Sequence, residues 1–144
     1  MLDTVSTIDW STFARCDGLT SVSICSRVTR IERFLFLLCE SLTSISIPSS
    51  VRSIANWPFS SCYRLKGVTI PESVEIIESN PFHYRSELLS INVASGNKYF
   101  AYVKGVLFSK DMTCFISFPG GNSWKYVVLK TIKKIGCGAF QECT

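Results

Sequence analysis

A 23-residue period constrains this chain more than any other feature of its sequence. Segments beginning at Val5, Val28, Val51 and Val74 align without a gap, each starting one period after the last. Isoleucine follows at Ile8, Ile31, Ile54 and Ile77, and phenylalanine at Phe13, Phe36, Phe59 and Phe82. Then come Cys16, Cys39 and Cys62, with Arg85 breaking the column, and Leu19, Leu42, Leu65 and Leu88. Each unit closes on an alternating apolar pair: Val22 and Ile24, Ile45 and Ile47, Val68 and Ile70, Ile91 and Val93. A repeat of this length is one supersecondary unit that cannot bury its own apolar edge, so successive units must stack into a solenoid.

The alternating pairs have period two, which places both members on one face of a short strand. One strand per unit, stacked in register, makes a parallel sheet with strands ~4.8 Å apart. Pro48 and Pro71 follow the strands, where a residue without an N–H ends a ladder. Pro58 and Pro81 precede Phe59 and Phe82, which suits a tight turn or the first residue of a short helix. Too few residues separate Ile54 from Cys62 for a long helix. The expected class is an α/β repeat solenoid: one short parallel strand per unit, with short turns or 3-10/helical segments on the convex side.

The period is expected to fail after Val93. A unit due at position 97 starts instead at Ile132, with Ile135, Phe140 and Cys143 in column, so an insertion separates the two. Within it, Tyr99–Phe108 and Thr113–Phe118 are rich in aromatic and β-branched residues, joined by Ser109-Lys110-Asp111-Met112. That reads as an inserted β-hairpin over about 97–124, ended by Pro119-Gly120-Gly121-Asn122. Tyr126-Val127-Val128 is expected to resume the strand of the interrupted unit, a partial repeat over 125–144. Its missing leucine and strand suggest a truncated array. A two-stranded ribbon cannot bury Tyr99, Phe100, Tyr102, Phe108, Phe115 and Phe118 by itself, so some must pack on the solenoid.

Cys39-Glu40-Ser41-Leu42-Thr43-Ser44-Ile45-Ser46-Ile47-Pro48-Ser49-Ser50-Val51 and Ile135-Gly136-Cys137-Gly138-Ala139-Phe140 resemble the two halves of the BspA-like leucine-rich repeat unit. Gly105-Val106-Leu107-Phe108-Ser109-Lys110-Asp111 is similar to a hairpin interruption found in that family. The chain departs from the pattern at Pro58, Pro81, Arg85 and Cys25. The resemblance covers nearly all of residues 1–144 as a single domain. It implies a surface or secreted protein of bacteria or parasitic protists, concerned with adhesion and protein–protein interaction.

Composition narrows the function classes. Hydrophobic residues make up 47% and charged residues 18%, enough apolar material for a core. The net charge of +4 is mild, and Lys125, Lys130, Lys133 and Lys134 form only a loose group, so no nucleic-acid partner is expected. No run of 18 apolar residues is present, so no membrane span is expected. The start carries acids where a signal peptide needs basic residues, which leaves a cytoplasmic location open.

No catalytic, cofactor-binding or metal site is expected, and no cofactor. His83 is the only histidine and reads as a surface-loop residue. The seven cysteines lack the close pairs of a zinc site. Their column reads as small buried hydrophobes, with a disulfide ladder as the alternative.

The expected partner-binding residues lie on the outward face of the strands: Ser21, Ser23, Ser44, Ser46, Thr69, Ser90 and Asn92, with Gly67 completing the columns. The hairpin tip adds Lys110, Asp111 and Met112. The function this supports is a non-enzymatic module for a protein or glycan partner on a surface or adhesion protein. The alternative is an intracellular structural scaffold, which the odd cysteine count favours.

Overall fold

The computed structural model describes residues 4–84, 88, 90–118 and 126–141. Arg85, Cys143, Lys125 and the Pro119-Gly120-Gly121-Asn122 terminator lie outside the described residues.

The chain winds as a β-solenoid with two columns of strands, not the one expected. The first column holds β1 (Ser21–Ser23), β3 (Ser44–Ser46), β5 (Gly67–Ile70) and β7 (Ser90–Val93). The second holds β2 (Arg30–Ile31), β4 (Ser53–Ile54) and β6 (Ile76–Ile77). Pairing is parallel and in register throughout: Ser21 faces Ser44, Val68 faces Ile91, and Ile31, Ile54 and Ile77 line up. β3 and β5 lie side by side but belong to separate hydrogen-bonded pairs. The second column leaves little trace in the sequence because each of its strands is only two residues long and offers no alternation to read.

Among the described residues no helix forms, so the helical alternative on the convex side, and with it the α/β class, is replaced by an all-β coil with turns. The backbone shows why. Ser11, Phe34 and Trp57 have positive φ, as do Arg15, Leu38, Ser61 and Tyr84, each set at the repeat spacing. Left-handed residues four positions apart stop any helix from propagating. Tight turns close between them, from Leu37 N–H to Phe34 O and from Cys39 N–H to Phe36 O.

Two sets of backbone bonds hold coil to coil. Beside the strands, the later coil donates to the earlier: Thr43 N–H to Thr20 O, Ala55 N–H to Ile31 O, Ala94 N–H to Ile70 O. In the turns the earlier coil donates to the later: Phe13 N–H to Leu35 O, Phe36 N–H to Pro58 O, Phe59 N–H to Pro81 O. Pro58 and Pro81 suit these positions because only their carbonyls are needed.

Inside the coils the phenylalanine column is a continuous stack. Ring centroids of Phe13–Phe36, Phe36–Phe59 and Phe59–Phe82 lie 5.4, 5.8 and 5.9 Å apart, with planes within 13° of parallel. Cys39 and Cys62 are buried beside it, and their thiols donate to the Phe13 and Phe36 carbonyls of the preceding coil, each at 3.0 Å. Residues of the first coil have one neighbour only, so Ile8, Phe13, Leu19 and Val22 stay half-buried and Cys16 is exposed.

The repeat register continues past Val93, which corrects the expected break. Asn97 takes the place of Val51 and Val74 and makes the same turn, its N–H to Ala94 O. Its buried amide donates to Pro71 O (2.8 Å) and Val74 O (3.0 Å). Its side-chain oxygen accepts the N–H groups of Tyr99 (2.8 Å) and Phe100 (2.9 Å). Phe100, one period after Ile77, fills the isoleucine column and is buried in the main core. By holding those two N–H groups, Asn97 turns the chain out of the coil, and the insertion starts there.

That insertion is a three-stranded meander rather than a two-stranded hairpin. β8 (Phe100–Val103) and β9 (Val106–Ser109) pair antiparallel across a two-residue turn, Lys104-Gly105, with φ of 48° and 82°. Positive φ at both positions is the hairpin turn that matches strand twist, and glycine accepts it without cost. β10 (Cys114–Ser117) pairs antiparallel with β9 and parallel with β11 (Lys134–Ile135). β10 therefore offers the returning chain the edge that β4 offers β6. Gly136 N–H donates to Phe115 O as Glu78 N–H donates to Ile54 O.

A second core of Val106, Phe108, Phe115, Phe118 and Ala139 forms under this sheet. Phe140 stacks on Phe115 with centroids 4.4 Å apart. Tyr102 packs against the main core and Tyr99 is exposed. The expected strand at Tyr126-Val127-Val128 does not form; Val127 and Val128 are exposed, and Tyr126 packs on Phe115 and Phe118 instead. β8 lies against β7, so the side on which Tyr126–Val128 would have paired is taken.

Two stability outcomes follow from this packing. Phe59→Ala should lower the unfolding free energy by about 3–5 kcal/mol in urea denaturation, because it opens a cavity between two stacked rings. Asn97→Ala leaves the Tyr99 and Phe100 N–H groups without acceptors and should cost about 1–3 kcal/mol. An unchanged urea midpoint would contradict either one.

Candidate interaction surfaces

Ser21, Ser23, Ser44, Ser46, Thr69, Ser90 and Asn92 are all exposed, and Gly67 is half-exposed. Strand pairing brings them into register as two columns, Ser21–Ser44 with Gly67–Ser90, and Ser23–Ser46 with Thr69–Asn92. The inward partners Ile45, Val68 and Ile91 are buried, so the alternation read from the sequence assigns each face. The result is a smooth, short-chained, uncharged strip.

The loop from β9 to β10 is apart from that strip. Lys110 and Asp111 are exposed, while Met112 is half-buried and packs on the second core. Of the expected tip residues only the first two are presented to solvent. Asp111 ties the loop down. It accepts from the hydroxyls of Ser109 (2.6 Å) and Thr113 (2.9 Å), and these bonds hold its carboxyl below the usual range.

A third surface carries residues that sequence reasoning passed over. Trp10 and Arg33 share one coil position, Phe34 and Trp57 the next, and the coils set them beside each other. Trp10 is 70% exposed. The Arg33 guanidinium lies 4.5 Å from the centroid of the Phe34 ring and 5.3 Å from that of Trp57. Phe34 and Trp57 stack at 5.7 Å, and His83 packs on Trp57 at 5.3 Å and edge-on to Tyr84 at 4.2 Å. His83 is thus a half-buried member of an aromatic row, which corrects its reading as a plain surface-loop residue.

Beside this row Arg30 bonds Glu32 at 2.9 Å and Glu78 at 2.6 Å. The Glu78 hydrogen bond raises the Arg30 pKa, with burial opposing it. The signal for this surface lay in the same period, in columns whose residues change type from unit to unit. A search for repeated identity discards such columns.

Among the described residues no three His, Cys, Asp or Glu side chains converge, and Cys16, Cys25, Cys39, Cys62, Cys114 and Cys137 are not joined by disulfides. A hydrogen bond with the Cys62 side chain, then burial, pushes the Cys39 thiol far above its ordinary range. Burial likewise raises Cys114.

The profile of the BspA type leucine rich repeat region matches residues 1–110 in 6 copies. The chain belongs to the BspA-type leucine-rich repeat family. The match runs on past Val93 to Lys110, as the in-register positions of Asn97 and Phe100 require.

Among solved structures, the pneumococcal vaccine antigen PcpA is similar, with 28% identity and a TM-score of 0.80 over 88% of this chain. A leucine rich cell surface protein from Faecalibacterium prausnitzii is 27% identical, with a TM-score of 0.81 over 99% of this chain. A leucine-rich repeat protein from Eubacterium ventriosum shares the fold at 22% identity and a TM-score of 0.66, over 92% of this chain and 41% of its own. The chain spans 32% of the PcpA chain and 38% of the Faecalibacterium one. No curated protein matches it.

Burial and pKa together make the thiols a direct test of the coil packing. Native protein should react with a thiol reagent rapidly at Cys16 and Cys137 and at least about a hundredfold more slowly at Cys39 and Cys62. Peptide mapping after a short pulse reads this, and equal labelling of Cys39 would contradict the buried column.

Proposed function

We propose that this chain is a non-enzymatic interaction module of a surface or adhesion protein, and that it engages its partner through the serine- and threonine-lined sheet face. The observation that carries the reading is the register of that face. Seven short polar side chains, from Ser21 to Asn92, stand exposed in two columns on stacked strands. Solenoids use such extended faces for binding, and small side chains let a partner backbone approach. The face lacks aromatic and arginine anchors, so one copy binds weakly and gains from being one part of a longer array. Lys110 and Asp111 supply charge at the loop beyond it.

Placement at a surface rests on likeness: one similar structure is a vaccine antigen and another a cell surface protein. A second reading, an intracellular scaffold, draws on the exposed free thiols of Cys16 and Cys137, which a reducing compartment would preserve.

The test compares the protein with a variant carrying Ser44→Lys, Ser46→Lys and Thr69→Lys in a pull-down of the partner. Three ammonium groups set on this face should weaken capture about tenfold or more, with the far-UV spectrum and melting temperature unchanged. Undiminished capture by a folded variant would overturn the sheet-face assignment.

A further inference from the structure

Past the second strand column, each coil turns into the aromatic row. Here a depression of about 610 Å³ opens between Trp10, Arg30, Arg33, Phe34, Asn56 and Glu78. Its residues come from successive coils at one position: Trp10, then Arg33, then Asn56. An indole, a guanidinium and an amide therefore follow each other at roughly the 4.8 Å coil spacing.

Each group is poised in a definite way. Trp10, in the first coil, lines the depression and is 70% exposed. Arg33 is braced on the Phe34 and Trp57 rings. The nearby acids do not neutralise it, because Glu32 and Glu78 are both engaged by Arg30. Among the described residues Arg33 has no acidic partner, so its planar N–H fork remains available for a carboxylate. The Asn56 Oδ1 accepts from the Ser79 hydroxyl at 2.9 Å, which fixes that amide and leaves its NH2 as a donor. Glu78 and Glu32 add acceptors at the rim.

We infer that this depression binds a carboxylate-bearing sugar. A pyranose has an apolar C–H face that lies flat on an indole, and hydroxyls around its edge that need both donors and acceptors. Asn56, Arg30 and the two glutamates provide both kinds, and the braced Arg33 selects a carboxylate. A protein hot spot would instead seat its anchor in a closed, desolvated pocket. This depression is open and mixes apolar rings with Arg30, Arg33, Asn56 and two glutamates, which suits a ligand that keeps part of its hydration. The assignment is independent of the sheet face, since neither surface contributes a residue to the other.

The test is a titration of the whole chain, followed by tryptophan fluorescence and saturation-transfer NMR. The ligands are 3′-sialyllactose, a hyaluronan tetrasaccharide, lactose and a short acidic peptide. At least one acidic sugar should bind about tenfold more tightly than lactose. The two acidic sugars separate a sialic from a uronic source.

Trp10→Ala should abolish the saturation transfer to the ring protons, and Arg33→Ala should remove the preference over lactose. Both residues lie at the surface of the depression, so both variants should melt where the parent does. The inference is overturned if neither acidic sugar binds, or if binding survives Trp10→Ala. It is also overturned if the acidic peptide binds the same site as well as the sugars do.

Discussion

Every feature of this protein depends on one constraint, the stacking of coil on coil at an offset of one repeat. A single coil has apolar side chains on both of its flat edges and cannot cover either. Stacking covers them, and it places like on like. Rings meet rings along Phe13, Phe36, Phe59 and Phe82, and each buried thiol meets the carbonyl of the coil before it. The backbone bonds enforce the same offset from two sides. Strand-side N–H groups reach back to the earlier coil, and turn N–H groups reach forward to the later one. A slip of a single position would break both sets and move every isoleucine off its neighbour.

The insertion obeys the constraint. Asn97 satisfies the Pro71 and Val74 carbonyls of the earlier coil and the N–H groups of Tyr99 and Phe100, and so lets the chain leave the coil without exposing them. The meander then returns with β10 in the role of a coil strand. β11 pairs with it in parallel, and the last turn comes to rest on the fourth coil, where Gly138 O accepts the Asn80 amide at 2.6 Å. The added segment thus leaves the stack continuous on the turn side while it replaces one coil's strand by three. Its aromatic residues have a core of their own, which a two-stranded ribbon could not have built.

Stacking also decides what the surface can do. Where a column keeps one residue type from coil to coil, as with the outward serines, it becomes a uniform strip. Where it varies, as from Trp10 to Arg33 to Asn56, it becomes a row of different groups held at a fixed spacing. The second kind is better suited to selective recognition, because a regular scaffold positions chemically distinct side chains at little entropic cost.

By itself the sequence determined the period, the core columns of Ile, Phe, Cys and Leu, the first strand column and its exposed serine face. All of these repeat, and a pattern of period two or of one repeat length survives without knowledge of contacts. Tertiary structure alone decided the rest. The second strands are too short to show alternation, and they exist because a neighbouring coil supplies their partner. The turns are not helical because left-handed residues recur at Phe34, Leu38, Trp57 and Ser61, positions whose side chains give no hint of it. Asn97 reads as a broken column and is a hydrogen-bonded continuation of it. Tyr126–Val128 reads as a strand and forms none, because the meander already lies beside β7. The aromatic row with Arg33 is assembled from single residues one period apart that share no residue type, so only the stacked coils bring them together.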